Sequence, residues 1–136
     1  MKYCIVLILI GLWACNSSNS ESSHDLSFLK QLDGKYPADV KLWENTAWNN
    51  RVKGLLGEEK YQLVRTFWAV ESPMQFQDNV FIAEACEQHN CYATNFIIVM
   101  DFNTQNLTVG IRKEGNKTII AENGQLSPKV NDWDQR

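Results

Sequence analysis

Two cysteines five positions apart, Cys86 and Cys91, enclose Glu87, Gln88, His89 and Asn90. These residue types at this spacing admit four kinds of chemistry. A tetrahedral zinc site would take Cys86, His89 and Cys91 as thiolate and imidazole ligands, but the chain offers no second ligand cluster to supply the fourth. A free thiol beside an imidazole would be a nucleophile or a redox centre, and here the second cysteine competes for that thiol. A disulfide would leave either a stapled hairpin with an incidental surface histidine or a rigid projecting loop able to enter a partner's cleft. Such a tip suits recognition, because an imidazole both donates and accepts hydrogen bonds and changes charge near neutral pH. From spacing alone the stapled hairpin with an incidental histidine is favoured, and the recognition loop, with Cys86 and Cys91 as its clamp and Glu87, Gln88, His89 and Asn90 as its contacts, stays open beside it. Catalytic residues, a metal and a cofactor are not expected.

The start of the chain decides the redox setting of those cysteines. Lys2, the apolar run Ile5 to Ile10 and Leu12-Trp13-Ala14 read as a targeting leader over residues 1–14. Its apolar core is too short to span a bilayer, which takes about 20 residues. Leu12-Trp13-Ala14-Cys15 resembles the lipobox of bacterial lipoproteins, with Trp13 departing from the small or β-branched residue usual there. That resemblance implies that Cys15 is the first mature residue and carries the acyl chains, palmitate among them. Asn16 to Ser23 is almost entirely Ser, Asn and Glu, too polar to fold, and suits a flexible tether over residues 15–25. Asn16 in place of Asp favours the outer membrane, so the protein is expected in the cell envelope, facing the periplasm. Cys4 then leaves with the leader and Cys15 is lipidated, which leaves Cys86 and Cys91 for the fold. In an exported, oxidising compartment such a pair usually forms a disulfide, here closing a short loop at a gain of about 2 kcal/mol.

Size and charge narrow the classes further. The chain has 136 residues and a net charge of −3; without Lys2 it keeps 12 basic against 16 acidic residues, a net charge of −4. Residues 26–136 are enough for one domain with one core and too few for a (β/α) barrel. No Lys/Arg run is present to displace counterions from phosphates, which excludes nucleic acid as a partner. A basic protein is electrostatically the easier one to attract.

The elements that must position the loop fall into two halves. Leu26, Leu29 and Leu32 recur at helical spacing until Gly34 and Pro37, and Pro37 opens a turn containing Val40 and Trp43. Trp48, Val52, Leu55 and Leu56 form one stripe on a helix that stops near Gly57. Glu58 and Glu59 start a second helix bearing Tyr61, Val64, Phe67 and Trp68. The tryptophans are read as packing anchors. Beyond Ser72-Pro73 the pattern turns to β over residues 74–85, with Phe76, Val80 and Ile82 as apolar positions and Asp78-Asn79 as a turn or bulge. The unbroken run Phe96 to Met100 suits a central strand covered on both faces. After a polar turn at Asn103 to Gln105, Leu107, Val109 and Ile111 alternate with Thr108, Gly110 and Arg112. Glu114-Gly115-Asn116 makes another turn before Thr118 to Ala121, and Ser127-Pro128 caps a short helix near Val130 and Trp133. The fold class is α+β, a helical N-terminal half packed on an antiparallel meander formed by the C-terminal half.

Ala85-Cys86-x-x-His89-x-Cys91 resembles the signature loop of the bacterial inhibitor of vertebrate lysozyme (Ivy) family, whose form is Cys-Lys-Pro-His-Asp-Cys. The similarity covers residues 46–112, with the loop as its specific part. It implies an α+β fold on an antiparallel sheet, action in the cell envelope, and a lysozyme or related muramidase as partner. It also implies that His89 enters the active site of that enzyme and bonds to its catalytic carboxylates. Glu87-Gln88 stands where the family has Lys-Pro, and Asn90 where it has Asp; a charge on Glu87 would face a cleft already rich in carboxylates. Two other readings belong to different classes: a structural or assembly lipoprotein binding another envelope protein through its aromatic helical surface, and a thiol-disulfide redox protein cycling Cys86 and Cys91. The oligomeric state is open, a homodimer included.

Overall fold

The computed structural model describes residues 25–136. The expected leader, Cys15 and all but the last residue of the tether lie outside the described residues. From Leu26 onward the chain folds as an N-terminal helical part followed by a six-stranded sheet that is antiparallel throughout.

Leu29 lies on a 3-10 turn, Ser27–Gln31, that Leu26 and Leu32 flank as its end residues, and not on a longer α-helix. Their spacing of three fits either form, and Gly34 at φ 75° ends the segment. A second 3-10 turn, Leu42–Glu44, precedes the helical segment Thr46–Phe67 (α1), which Asn45 caps by accepting from the Trp48 N–H at 3.0 Å. Gly57 interrupts α1 with φ 74° and ψ 169°, a conformation open to glycine and costly for other residues. The expected stop near Gly57 is therefore real, and the chain resumes as a helix directly after it. The buried stripe is Trp48, Val52 and Leu56 before the break and Val64 after it. Trp43 packs edge-on against Trp48, Tyr61 and Trp68, with the Arg65 guanidinium 4.7 Å from its ring centre. The tryptophans thus anchor packing, and Trp48 is fully buried.

The strands are Val70–Glu71 (β1), Gln75–Gln77 (β2), Val80–Cys86 (β3), Asn95–Asp101 (β4), Asn106–Lys113 (β5) and Asn116–Ala121 (β6), and a final helix spans Pro128–Asp134 (α2). They run in the order β1-β3-β4-β5-β6, with β2 sharing the edge of β3 that β1 also uses. Asp78 and Asn79, at φ 55° and 63°, make the tight turn between β2 and β3, as their residue types suggest. Phe96 to Met100 is buried along its whole length, because the sheet is covered on both sides. On one side Phe81, Ala83, Phe96, Ile98, Met100, Leu107 and Val109 meet α1 and the N-terminal turns. On the other, Ile97 and Val99 meet Val130 and Trp133 of α2.

This second layer is more than the alternation in β5 conveyed. Thr108 and Arg112 are buried along with their apolar neighbours. Gly110 lies close beneath α2: a Cβ there would lie 2.6 Å from Cζ3 of Trp133 and 2.8 Å from Cγ2 of Ile97. The strand Val70–Glu71 is too short to leave a period in the sequence and was not foreseen.

Candidate functional site

The loop that carries His89 joins two strands in the interior of the sheet. Cys86 ends β3 and pairs with Asn95, the first residue of β4. Cys86 and Cys91 form a disulfide, with Cα atoms 4.9 Å apart. This bond consumes both thiols, so neither a zinc site nor a free nucleophile can be built from them. Among the described residues no group of three His, Cys, Asp or Glu is placed to hold a metal ion.

The backbone folds into two successive turns, the first inside the disulfide and the second running past Cys91 to Thr94. The Asn90 N–H donates to the Glu87 carbonyl at 3.0 Å, and the N–H groups of Ala93 and Thr94 donate to the Asn90 carbonyl at 3.1 and 2.9 Å. The Glu87 N–H reaches the Thr94 carbonyl at 3.1 Å and closes the base. Gln88 and His89 are the central residues of the first turn. His89 takes φ 62°, the left-handed region, where a non-glycine residue carries about 1 kcal/mol of strain. The surrounding bonds hold it there.

The side chains split into two groups. Gln88 and His89 are exposed, whereas Glu87 and Asn90 are half-buried. The outward tip is thus two residues wide, not four. The Asn90 side-chain amide donates to the Glu87 carboxylate at 2.6 Å, and the Lys113 ammonium lies 3.8 Å from the same oxygen. The bond from Asn90, helped by Thr94 and the Lys113 charge, holds the Glu87 carboxyl below the usual glutamate range in spite of some desolvation. Glu87 therefore braces the loop and does not carry an unpaired charge to its tip.

Two contacts beyond the loop fix it to the rest of the fold. The Gly115 N–H donates to the Ala93 carbonyl at 2.9 Å, and the Asn95 side chain donates to the Cys91 carbonyl at 2.7 Å. Lys113, besides facing Glu87, lies 4.0 Å from the ring centre of Phe67 in the last turn of α1. Sequence reasoning passed over Lys113 because its partner Glu87 is 26 positions earlier and only the sheet register brings them together. It also passed over Tyr92, which is 93% exposed immediately after the clamp. The signal was available, since an aromatic residue has no core reason to stand in a polar loop.

Fold and loop together define a small α+β domain with a disulfide-closed loop between two interior strands. The model of the family "Inhibitor of vertebrate lysozyme (Ivy)" matches residues 47–136, and the chain belongs to this family. The match runs beyond residue 112 and takes in β6 and α2 as well as the loop. No curated protein and no solved structure matches the chain. The family is one of inhibitors and not of enzymes.

Proposed function

We propose that this protein inhibits a lysozyme-type peptidoglycan hydrolase by inserting His89 into the active-site cleft. The observation that carries the reading is the exposed imidazole of His89, held in one backbone conformation at the tip of a disulfide-closed loop in a chain of this family. A retaining glycosidase presents two carboxyl groups about 5 Å apart, one a proton donor and one ionised. An imidazole between them can donate to the ionised group and exchange a hydrogen bond with the other. A charge-assisted bond of this kind contributes roughly 1.5–3 kcal/mol net.

Preforming the loop lowers the ordering cost of binding. Gln88 flanks the imidazole as a neutral contact, and Glu87 and Asn90 support it from below. With Glu87 turned back toward Asn90 and Lys113, the departure from the family's Lys-Pro brings no bare negative charge into the cleft. In this proposal Cys15 carries the lipid, the polar segment to residue 25 acts as a tether, and the domain works from the outer membrane in the periplasm. A negative net charge favours encounter with a basic target.

The test is inhibition of several lysozyme types by the soluble domain from residue 25, compared with its His89→Ala variant. The reading expects inhibition of at least one enzyme and a loss of tenfold or more in the variant. Absence of inhibition across the panel, or a variant as potent as the parent, would overturn it.

A further inference from the structure

On the α2 side of the sheet, Val70, Cys86, Asn95 and Arg112 are successive partners in one cross-strand row. Beside the disulfide this row borders a cavity of about 420 Å³, lined by Val70, Cys86, Tyr92, Phe96, Arg112 and Trp133 among others. That volume is in the range of small-molecule sites. Its walls are mostly apolar; Glu84 and Arg136, also in the lining, pair with each other at 2.6 Å, which leaves Arg112, only 7% exposed, as its cation without a carboxylate partner.

Arg112 is poorly matched by its own protein. A guanidinium has five N–H donors. Here Nη1 donates to the Asn95 side-chain oxygen, and Nη2 to the carbonyls of Trp133 and Asp134, each at 3.4 Å. The Trp133 ring centre is 5.0 Å from its central carbon. All these partners are neutral and the hydrogen bonds are long. The nearby carboxylates are engaged elsewhere: Glu84 with Arg136 at 2.6 Å, Asp134 with Lys117 at 2.8 Å, and Glu87 with Lys113. Among the described residues Arg112 makes no ion pair. A buried charge without a counter-charge is costly, and an anion entering the cavity would supply one.

We propose that this cavity binds a carboxylate carried on an apolar stem, with Arg112 holding the carboxylate and Val70, Tyr92 and Trp133 enclosing the stem. The terminal residue of a peptide, or an N-acylated apolar amino acid, has this form. Arg136 is already engaged by Glu84, so one uncompensated guanidinium balances one negative charge, and the second charge of a phosphate would meet no free cation in the cavity. The site is separate from the His89 tip and does not depend on what that tip binds.

The experiment titrates the full chain with N-acetyl-leucine, its amide, a short peptide ending in leucine, and inorganic phosphate. Binding is read from the Arg112 Nε–H resonance and from tryptophan fluorescence. The proposal expects saturable binding of the acid or of the peptide, at least tenfold weaker binding of amide and phosphate, and a loss of tenfold or more in Arg112→Gln. The two carboxylate arms distinguish a free ligand from a chain terminus. Because Arg112→Gln could fail to fold, Val70→Trp, at the exposed sheet edge, provides a second variant that fills the cavity and should also abolish binding. Acid and amide binding alike, no saturable shift with either carboxylate, or full binding by a folded Arg112→Gln or Val70→Trp would overturn it.

Discussion

The side-chain amide of Asn90 donates to the Glu87 carboxylate at 2.6 Å, spanning the two residues that form the tip of the loop. The bond ties the two ends of the first turn, and Lys113 attaches that pair to the far end of β5. The family's Asp at position 90 and Lys at position 87 would have the opposite polarity. In this chain the brace across the ends of the turn is an amide facing a carboxylate.

Replacing Asn90 by Ala should loosen the turn without unfolding the domain. The Glu87 carboxyl, held low chiefly by this bond, should move back toward the ordinary glutamate value of 4.5, and carboxyl NMR titration would show it. Because the folded value is depressed, the brace is complete above pH 4.5 and is lost as the pH falls through that depressed value. Hydrogen exchange at Ala93 and Thr94 should quicken in the variant at neutral pH. Unchanged titration and exchange would show that the bond does not order the loop.

Arg51 and Glu122 join α1 to the segment that follows β6. Arg51 donates from Nε and Nη2 to the two carboxylate oxygens at 2.8 and 2.9 Å, and the Leu107 N–H donates to the carboxylate at 2.9 Å. Burial alone would raise the Glu122 carboxyl, but these bonds outweigh it and leave it lowered. Its contribution is thus present above pH 4.5 and disappears as acid protonates it. Allowing for solvent screening, Glu122→Gln should cost about 1 kcal/mol at neutral pH and flatten the acid limb of the stability curve. Urea denaturation across a pH series measures both effects.

Gly110→Ala should displace α2. The added methyl would meet the Trp133 ring at 2.6 Å, and a fused ring wedged against the sheet has no flexible end to yield. A loss of about 1–3 kcal/mol is expected, with red-shifted tryptophan emission as Trp133 gains water. A variant as stable as the parent would show that α2 can shift at little cost.

Removing the disulfide with Cys86→Ala and Cys91→Ala together should cost about 2 kcal/mol in the chain-entropy model. The domain should stay folded, because Glu87 and Thr94 still close the base of the loop. Inhibition, if carried by His89, should fall by more than the stability change explains, since the turn would sample other conformations. Denaturation midpoints and inhibition constants for the same variant separate the two effects.

Much of this architecture could be read from local pattern. The Gly57 break, the Asp78-Asn79 turn, the unbroken run in β4 and the Ser127-Pro128 cap each rest on neighbouring residues, and each stands where its residue types require it. The clamp too was legible, from the fate assigned to each cysteine. What escaped depends on distant chain. Arg112 reads as an outward-facing strand residue until α2, some 20 residues later, folds over it. Glu87 reads as a projecting charge until the register of β5 brings Lys113 beside it. Charged side chains are seldom buried or neutralised by sequence neighbours alone, so their settings appear only with tertiary structure.

The loop also hangs from the inside of the sheet, not from its margin. Cys86 is the last rung of seven that join β3 to β4, and β4 is joined by seven more to β5. Tension on the tip, such as a departing partner would exert, enters at Cys86 and Asn95 and spreads into ladders on either side. The clamp keeps the slack segment between the cysteines from paying out. Mechanically the domain is a handle: a pull on His89 is resisted by the whole sheet before any single strand can peel away.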